Sequence, residues 1–108
     1  MFCSNVYDYV NVLGEYGGIG WPVEGHLWQP DRNWGYVQFK SADEVLDTYE
    51  KYADMLIGLI DDGFAGAIYT QTTDVEIEVN GLMTYDRKVV KLDMDRLSSI
   101  NRRVIESM

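Results

Sequence analysis

A five-turn amphipathic stripe, stopped by a glycine and followed at once by an apolar run that does not alternate, leaves few folds open to this chain. Ser41-Ala42-Asp43-Glu44 opens the stripe as a capping box, in which the serine oxygen accepts from a free backbone N–H and Glu44 reaches back. Val45, Tyr49, Tyr52, Ala53, Leu56, Ile57 and Ile60 then recur at three- and four-residue steps. This spacing predicts a helix over Ser41–Asp62, with Gly63 placed to end it. Phe64-Ala65-Gly66-Ala67-Ile68-Tyr69-Thr70 is apolar throughout, the pattern of a parallel strand covered on both faces.

The flanking segments extend the pattern. Tyr9-Val10-Asn11-Val12-Leu13 is β-branched and apolar, which predicts a short buried strand stopped by Gly14, with Glu15 just beyond its end. Gly14 to Gly35 holds six glycines, both prolines, all three tryptophans and the only histidine, with no helical period. It reads as a long loop, and loops of that length in small domains are commonly functional. After Thr70, a polar segment through Asn80-Gly81 and Tyr85-Asp86-Arg87 leads to a second helix, Met94–Met108, with Leu97, Ile100, Val104 and Met108 on one face. Two βα units in this order imply a parallel strand pair. Doubly wound sheets and (β/α)8 barrels both contain such units, and both place functional groups beyond the C-terminal ends of the strands.

Composition then narrows the function classes. The 108 residues, 46% hydrophobic and 25% charged, suit one domain spanning residues 1–108. A net charge of -9 would repel a phosphate backbone or an anionic membrane surface, so neither nucleic acid nor membrane is expected as a partner. Cys3 is the single cysteine and reads as a bystander, and no Cys/His group has metal-ligand spacing, so neither a disulfide, a metal nor another cofactor is expected. The opening residues lack the pattern of a secretory signal and no run spans a bilayer, which makes a cytoplasmic location the default expectation. Six cations between Arg87 and Arg103 read as a solvated outer face of the last helix.

Glu15, flanked as Gly14-Glu15-Tyr16-Gly17-Gly18, is a carboxylate at a strand end among residues that let the backbone turn sharply. On placement alone it is a nucleophile, a general base or a structural acceptor. The motifs read together are more specific. Val12-Leu13-Gly14-Glu15-Tyr16-Gly17-Gly18, Gly25-His26-Leu27-Trp28, Trp34-Gly35-Tyr36, Ala67-Ile68-Tyr69-Thr70-Gln71-Thr72-Thr73-Asp74-Val75-Glu76 and Asn80-Gly81-Leu82-Met83-Thr84-Tyr85-Asp86-Arg87 follow in order. In order and spacing, from about Val12 to Ile105, they closely resemble the C-terminal end of the catalytic barrel of glycoside hydrolase family 2, the β-galactosidase, β-glucuronidase and β-mannosidase group.

The resemblance implies an α/β fold made of the last two βα units of a (β/α)8 TIM barrel. It implies a C-terminal fragment of a retaining β-glycosidase acting on a β-linked carbohydrate, with Glu15 as the nucleophile and Tyr69 at the sugar-facing end of the eighth strand. Retention needs a second carboxyl group roughly 5 Å away as acid/base. The family takes it from an Asn-Glu pair far upstream, and this sequence contains no such pair. Glu24, Glu76 and Glu78 do not fall at a predicted strand end facing Glu15. A complete barrel takes about 250 residues, so the isolated chain is expected to be inactive, either a truncated gene product or a piece of something longer.

His26 is a candidate for a sugar hydroxyl or a carboxylate, against a structural hydrogen-bonding role. Trp21, Trp28 and Trp34 have flat faces that stack on sugar C–H groups or pack the loop. Asp74 either bonds a hydroxyl or caps the loop after Tyr69. Two strands alone expose two edges, so homo-oligomers that pair those edges, or an altered arrangement of the elements, are expected. A non-catalytic carbohydrate-binding or interaction module, and a relic of a truncated gene, are the alternative readings.

Overall fold

The structure is a computed structural model that describes residues 10–108. It contains β1 (Asn11–Gly17), β2 (Ile19–Gly20), β3 (Val37–Gln38), α1 (Ala42–Asp61), β4 (Phe64–Thr70) and α2 (Met94–Glu106). β1 pairs with β4 and β2 with β3, both in parallel, in two separate two-stranded sheets.

α1 forms where the stripe and cap predict it. Ser41 is extended, and its side chain accepts from the Glu44 N–H at 3.3 Å. Glu44 reaches one residue further back than a capping box requires, accepting from the Lys40 N–H at 3.1 Å. Asp62 and Gly63 close the helix, with Gly63 at φ +108, the left-handed conformation that favours glycine. α2 starts at Asp93, whose carboxylate accepts from the Asp95 N–H at 3.0 Å. Helix α2 ends at Glu106, and Met108, expected on its inner face, is exposed.

The last two βα units of a (β/α)8 barrel are not what this chain forms. The fold is a small α/β unit of two helices and two short parallel pairs. Two physical reasons overturn the expectation. The segment read as loop supplies its own sheet: Ile19 and Gly20 pair with Val37 and Gln38, because Gly20 and Gly35 let two backbones cross so closely that a Cβ on Gly35 would lie 2.9 Å from the Gly20 Cα. The two long strands, in turn, are not covered on both faces. Val12 and Ile68 are 58% and 65% exposed, and no third strand joins β1 or β4 among the described residues.

The core therefore lies beside the long sheet. Ile19 of β2, Val45, Leu46, Tyr49 and Ala53 of α1, Leu92, and Leu97 and Ile100 of α2 form one buried cluster, with Tyr69 packed against it. Across the outer surface of the two helices, Glu50 accepts from Arg96 at 3.1 Å, and Arg103 sits 2.9 Å from Asp54.

β1 also differs in extent. It runs through Gly14 to Gly17, so Glu15 is inside the strand and not beyond it. Glycine does not force the strand to end, and Tyr16 and Gly17 still pair with Tyr69 and Thr70. Met1 to Tyr9, including Cys3 and the start of the predicted first strand, lie outside the described residues.

Candidate functional site

Glu15 owes its position to an irregularity in the ladder. Leu13 pairs with Ala67 and Tyr16 with Tyr69, so β1 takes three residue steps where β4 takes two. One extra residue is absorbed at Gly14-Glu15, a bulge of the kind that re-aims a side chain. A cleft of about 200 Å³ opens there, lined by Glu15, Tyr16, Gly17, Gly18, Tyr36 and Thr70. Glu15 is the one carboxylate among these residues; Glu24, Glu76 and Glu78 do not line the cleft.

Gly17 and Gly18 form its floor at φ +109 and +69. A Cβ on Gly17 would lie 2.7 Å from the Thr70 carbonyl oxygen, and one on Gly18 would lie 2.6 Å from the Tyr36 ring. Only glycine fits either place. Backbone bonds tie the walls together: the Gly18 N–H donates to the Thr70 carbonyl at 2.9 Å, and the Val37 N–H donates to the Gly18 carbonyl at 3.1 Å. The Thr70–Gln71 peptide at the rim is cis.

The residues expected around Glu15 separate into distinct places. Tyr69 stands behind the floor against Gly17, its ring edge-on to Tyr16 at 5.3 Å and to Tyr49 at 5.0 Å. Burial raises the pKa of both of those partners and of Tyr69 itself, with the Tyr49 hydroxyl pushed up to about 12 although it donates to Asn101. Tyr69 is a packing residue that does not line the cleft. Trp21 packs against the core, and its backbone N–H donates to the Val79 carbonyl at 2.9 Å. Trp34 reaches the cleft indirectly, edge-on to Tyr36 at 5.1 Å. Tyr36, which the sequence reading did not single out as a site residue, lines the cleft together with Tyr16, and it is 67% exposed. Its neighbours Trp34 and Gly35 drew notice in the sequence, but the approach of Gly18 to its ring joins residues 18 positions apart.

His26 and Trp28 form a second cluster. His26 Nδ1 lies 2.8 Å from Asp86 Oδ2, and the Trp28 ring meets Tyr85 edge-on at 5.6 Å. The Thr84 hydroxyl donates to Asp86 Oδ1 at 2.6 Å and the Lys88 N–H donates to the same oxygen at 3.1 Å. The Thr84 bond, then His26, hold the Asp86 carboxyl well below the usual carboxylate range.

A buried ion pair clamps the loops that carry these groups. Lys91 Nζ donates to Asp74 Oδ1 at 2.9 Å, to the Trp21 carbonyl at 2.8 Å and to the Val79 carbonyl at 3.2 Å. Asp74 Oδ1 also accepts from the Gly81 N–H at 2.8 Å, so Asp74 holds the loop after Tyr69. Burial is the leading influence on both partners, raising the Asp74 pKa and lowering that of Lys91. Lys91 thus leaves the set of cations expected on a solvated face: its side chain is 1% exposed.

Among the described residues no group of three or more His, Cys, Asp or Glu side chains could hold a metal ion, and no helix is long and apolar enough to cross a membrane. No protein-family model and no curated protein matches the sequence.

Proposed function

We propose that this chain carries the nucleophile of a retaining β-glycosidase, Glu15, and that polypeptide beyond these residues supplies the acid/base carboxyl group. The observation that carries the reading is a single carboxylate set by a strand bulge into a glycine-floored cleft, beside the exposed ring of Tyr36. The motif order that resembles glycoside hydrolase family 2 supports the same residue. A β-linked carbohydrate is the substrate class: Tyr36 offers a face for the C–H groups of a pyranose, and Glu15 is free of the buried Asp74–Lys91 clamp.

In this reading a Glu15 oxygen attacks the anomeric carbon while the bond to the leaving oxygen breaks, and that oxygen takes its proton from the acid. Water, deprotonated by the same group, then releases the sugar from Glu15. One carboxylate cannot perform both parts, so the isolated chain is inactive toward ordinary glycosides.

The test uses a set of 2,4-dinitrophenyl 2-deoxy-2-fluoro-β-glycosides, whose leaving group departs without protonation and whose fluorine slows hydrolysis of the ester. Expressed with its flanking coding sequence, the protein is expected to gain one glycosyl group on Glu15, read by peptide mass spectrometry, and to gain none as Glu15→Gln. The isolated chain, with only part of the sugar-binding surface, is expected to keep its mass. Flanking sequence without an Asn-Glu pair, or labelling that survives Glu15→Gln, overturns the proposal.

A further inference from the structure

We propose that His26 and Trp28, with Tyr85 and Asp86 behind them, form a second carbohydrate-contact site separate in its residues from the Glu15 cleft. None of the four lines that cleft, and two features meet on them.

The first is shape. Trp28 is 59% exposed while its ring rests edge-on against Tyr85, so the indole is held by one aromatic neighbour and still presents apolar surface to water. Nothing in the core cluster involves it. An indole fixed in this way meets the C–H face of a pyranose with little conformational freedom left to lose.

The second is a polar group with a defined role. Asp86 is fixed by the Thr84 hydroxyl and the Lys88 N–H, and as a carboxylate it can only accept. The proton between it and the imidazole therefore sits on His26 Nδ1. In the neutral ring Nε2 is then an acceptor, and the side chain is 31% exposed. An apolar ring two residues along the chain from an imidazole acceptor, the two resting on the adjacent residues Tyr85 and Asp86, suits a neutral polyhydroxyl ligand, which brings C–H faces and O–H donors together. The net charge of -9 disfavours an anionic alternative. Asp86 acts through His26 and is a positioning residue.

The inference rests on the carbohydrate reading of the chain but not on Glu15. The experiment is an NMR titration of the ¹⁵N-labelled full chain with methyl β-D-galactopyranoside, methyl β-D-glucopyranoside and methyl β-D-mannopyranoside, following the His26 ring nitrogens and the Trp28 indole N–H. One of the three is expected to move both signals saturably, with a Kd of about 1 mM. Trp28→Ala, at an exposed position, is expected to weaken binding about tenfold or more. Asp86→Asn is expected to move the proton toward Nε2, seen directly in the ring ¹⁵N shifts, and to weaken binding with it. Glu15→Gln is expected to bind as the parent does. Absence of a saturable shift at about ten times that concentration, or equal binding by Trp28→Ala, overturns the site. Binding here, together with no glycosyl group on Glu15 in the protein expressed with its flanking coding sequence, refutes the nucleophile assignment and leaves this site standing.

Discussion

Replacing Asp74 by alanine strands a buried ammonium group, and the structure sets the cost. The two side chains are 2% and 1% exposed, so neither end of the pair has water to fall back on. Breaking such a pair by removing one partner typically costs about 3–5 kcal/mol, because the remaining charge stays desolvated. Lys91 keeps the Trp21 and Val79 carbonyls, which moves the expectation toward the low end. Loss of the acceptor for the Gly81 N–H adds about 1 kcal/mol. Asp74→Ala should therefore cost about 3–5 kcal/mol, a large share of the about 5–15 kcal/mol that holds an ordinary domain together. Urea unfolding followed by far-ultraviolet circular dichroism measures it. Lys91→Met leaves a buried carboxyl group whose pKa burial already raises. That group can take up a proton, so this variant should be more stable at mildly acid than at neutral pH, losing stability as pH rises through the raised pKa. The double variant Asp74→Ala/Lys91→Met removes both charges and should cost less than the sum of the single changes. A single-variant cost below about 1 kcal/mol, or strict additivity in the cycle, would refute the reasoning.

Further expectations follow from the aromatic wall, the helix cap, the cleft floor and the open strands. The folded chain keeps protons on Tyr16, Tyr49 and Tyr69 to higher pH than the unfolded chain does, so stability should be intact below about pH 10 and fall as pH rises toward 12, checked by melting temperature against pH. Ser41→Ala should cost about 1 kcal/mol in urea unfolding, since the Glu44 N–H loses its acceptor. Gly17→Ala should cost more than the about 1–2 kcal/mol of the left-handed backbone alone, because its Cβ would meet the Thr70 carbonyl oxygen. Light scattering should detect self-association through β1 and β4, and Val12→Lys should suppress it; a monodisperse monomer in the parent chain would sink that idea.

What could be read in the sequence is what depends on neighbours in the chain. The Ser41 cap, the stripe of α1, the Gly63 stop and the extent of β4 follow from local chemistry and repeat spacing. The exposure of Val12 and Ile68 was not legible, because an apolar run carries the same pattern whether or not something covers it. Nor was the second sheet, whose two-residue strands are shorter than any period and exist because Gly20 and Gly35 touch across 15 positions. For the site, residue types pointed to Glu15 and to the aromatic loop, but the division of that loop depends on distant contacts. Tyr36 meets Gly18, while His26 meets Asp86 across 60 positions. Lys91 looked like a surface cation because a sequence shows its charge and not the carbonyls that surround it.

The extra residue between Leu13 and Tyr16 makes the bearing of Glu15 a matter of count as well as chemistry. Side chains along a strand alternate between its two faces. Deleting Gly14 would remove that extra residue, leave the opposite irregularity between Asn11 and Val12 unbalanced, and turn Glu15 to the other face relative to Leu13, with its carboxylate still encoded. Substitution scanning would find this position tolerant or intolerant residue by residue and miss the point. A one-codon deletion, with a compensating insertion beyond Glu15 as its control, would separate the identity of the carboxylate from its bearing.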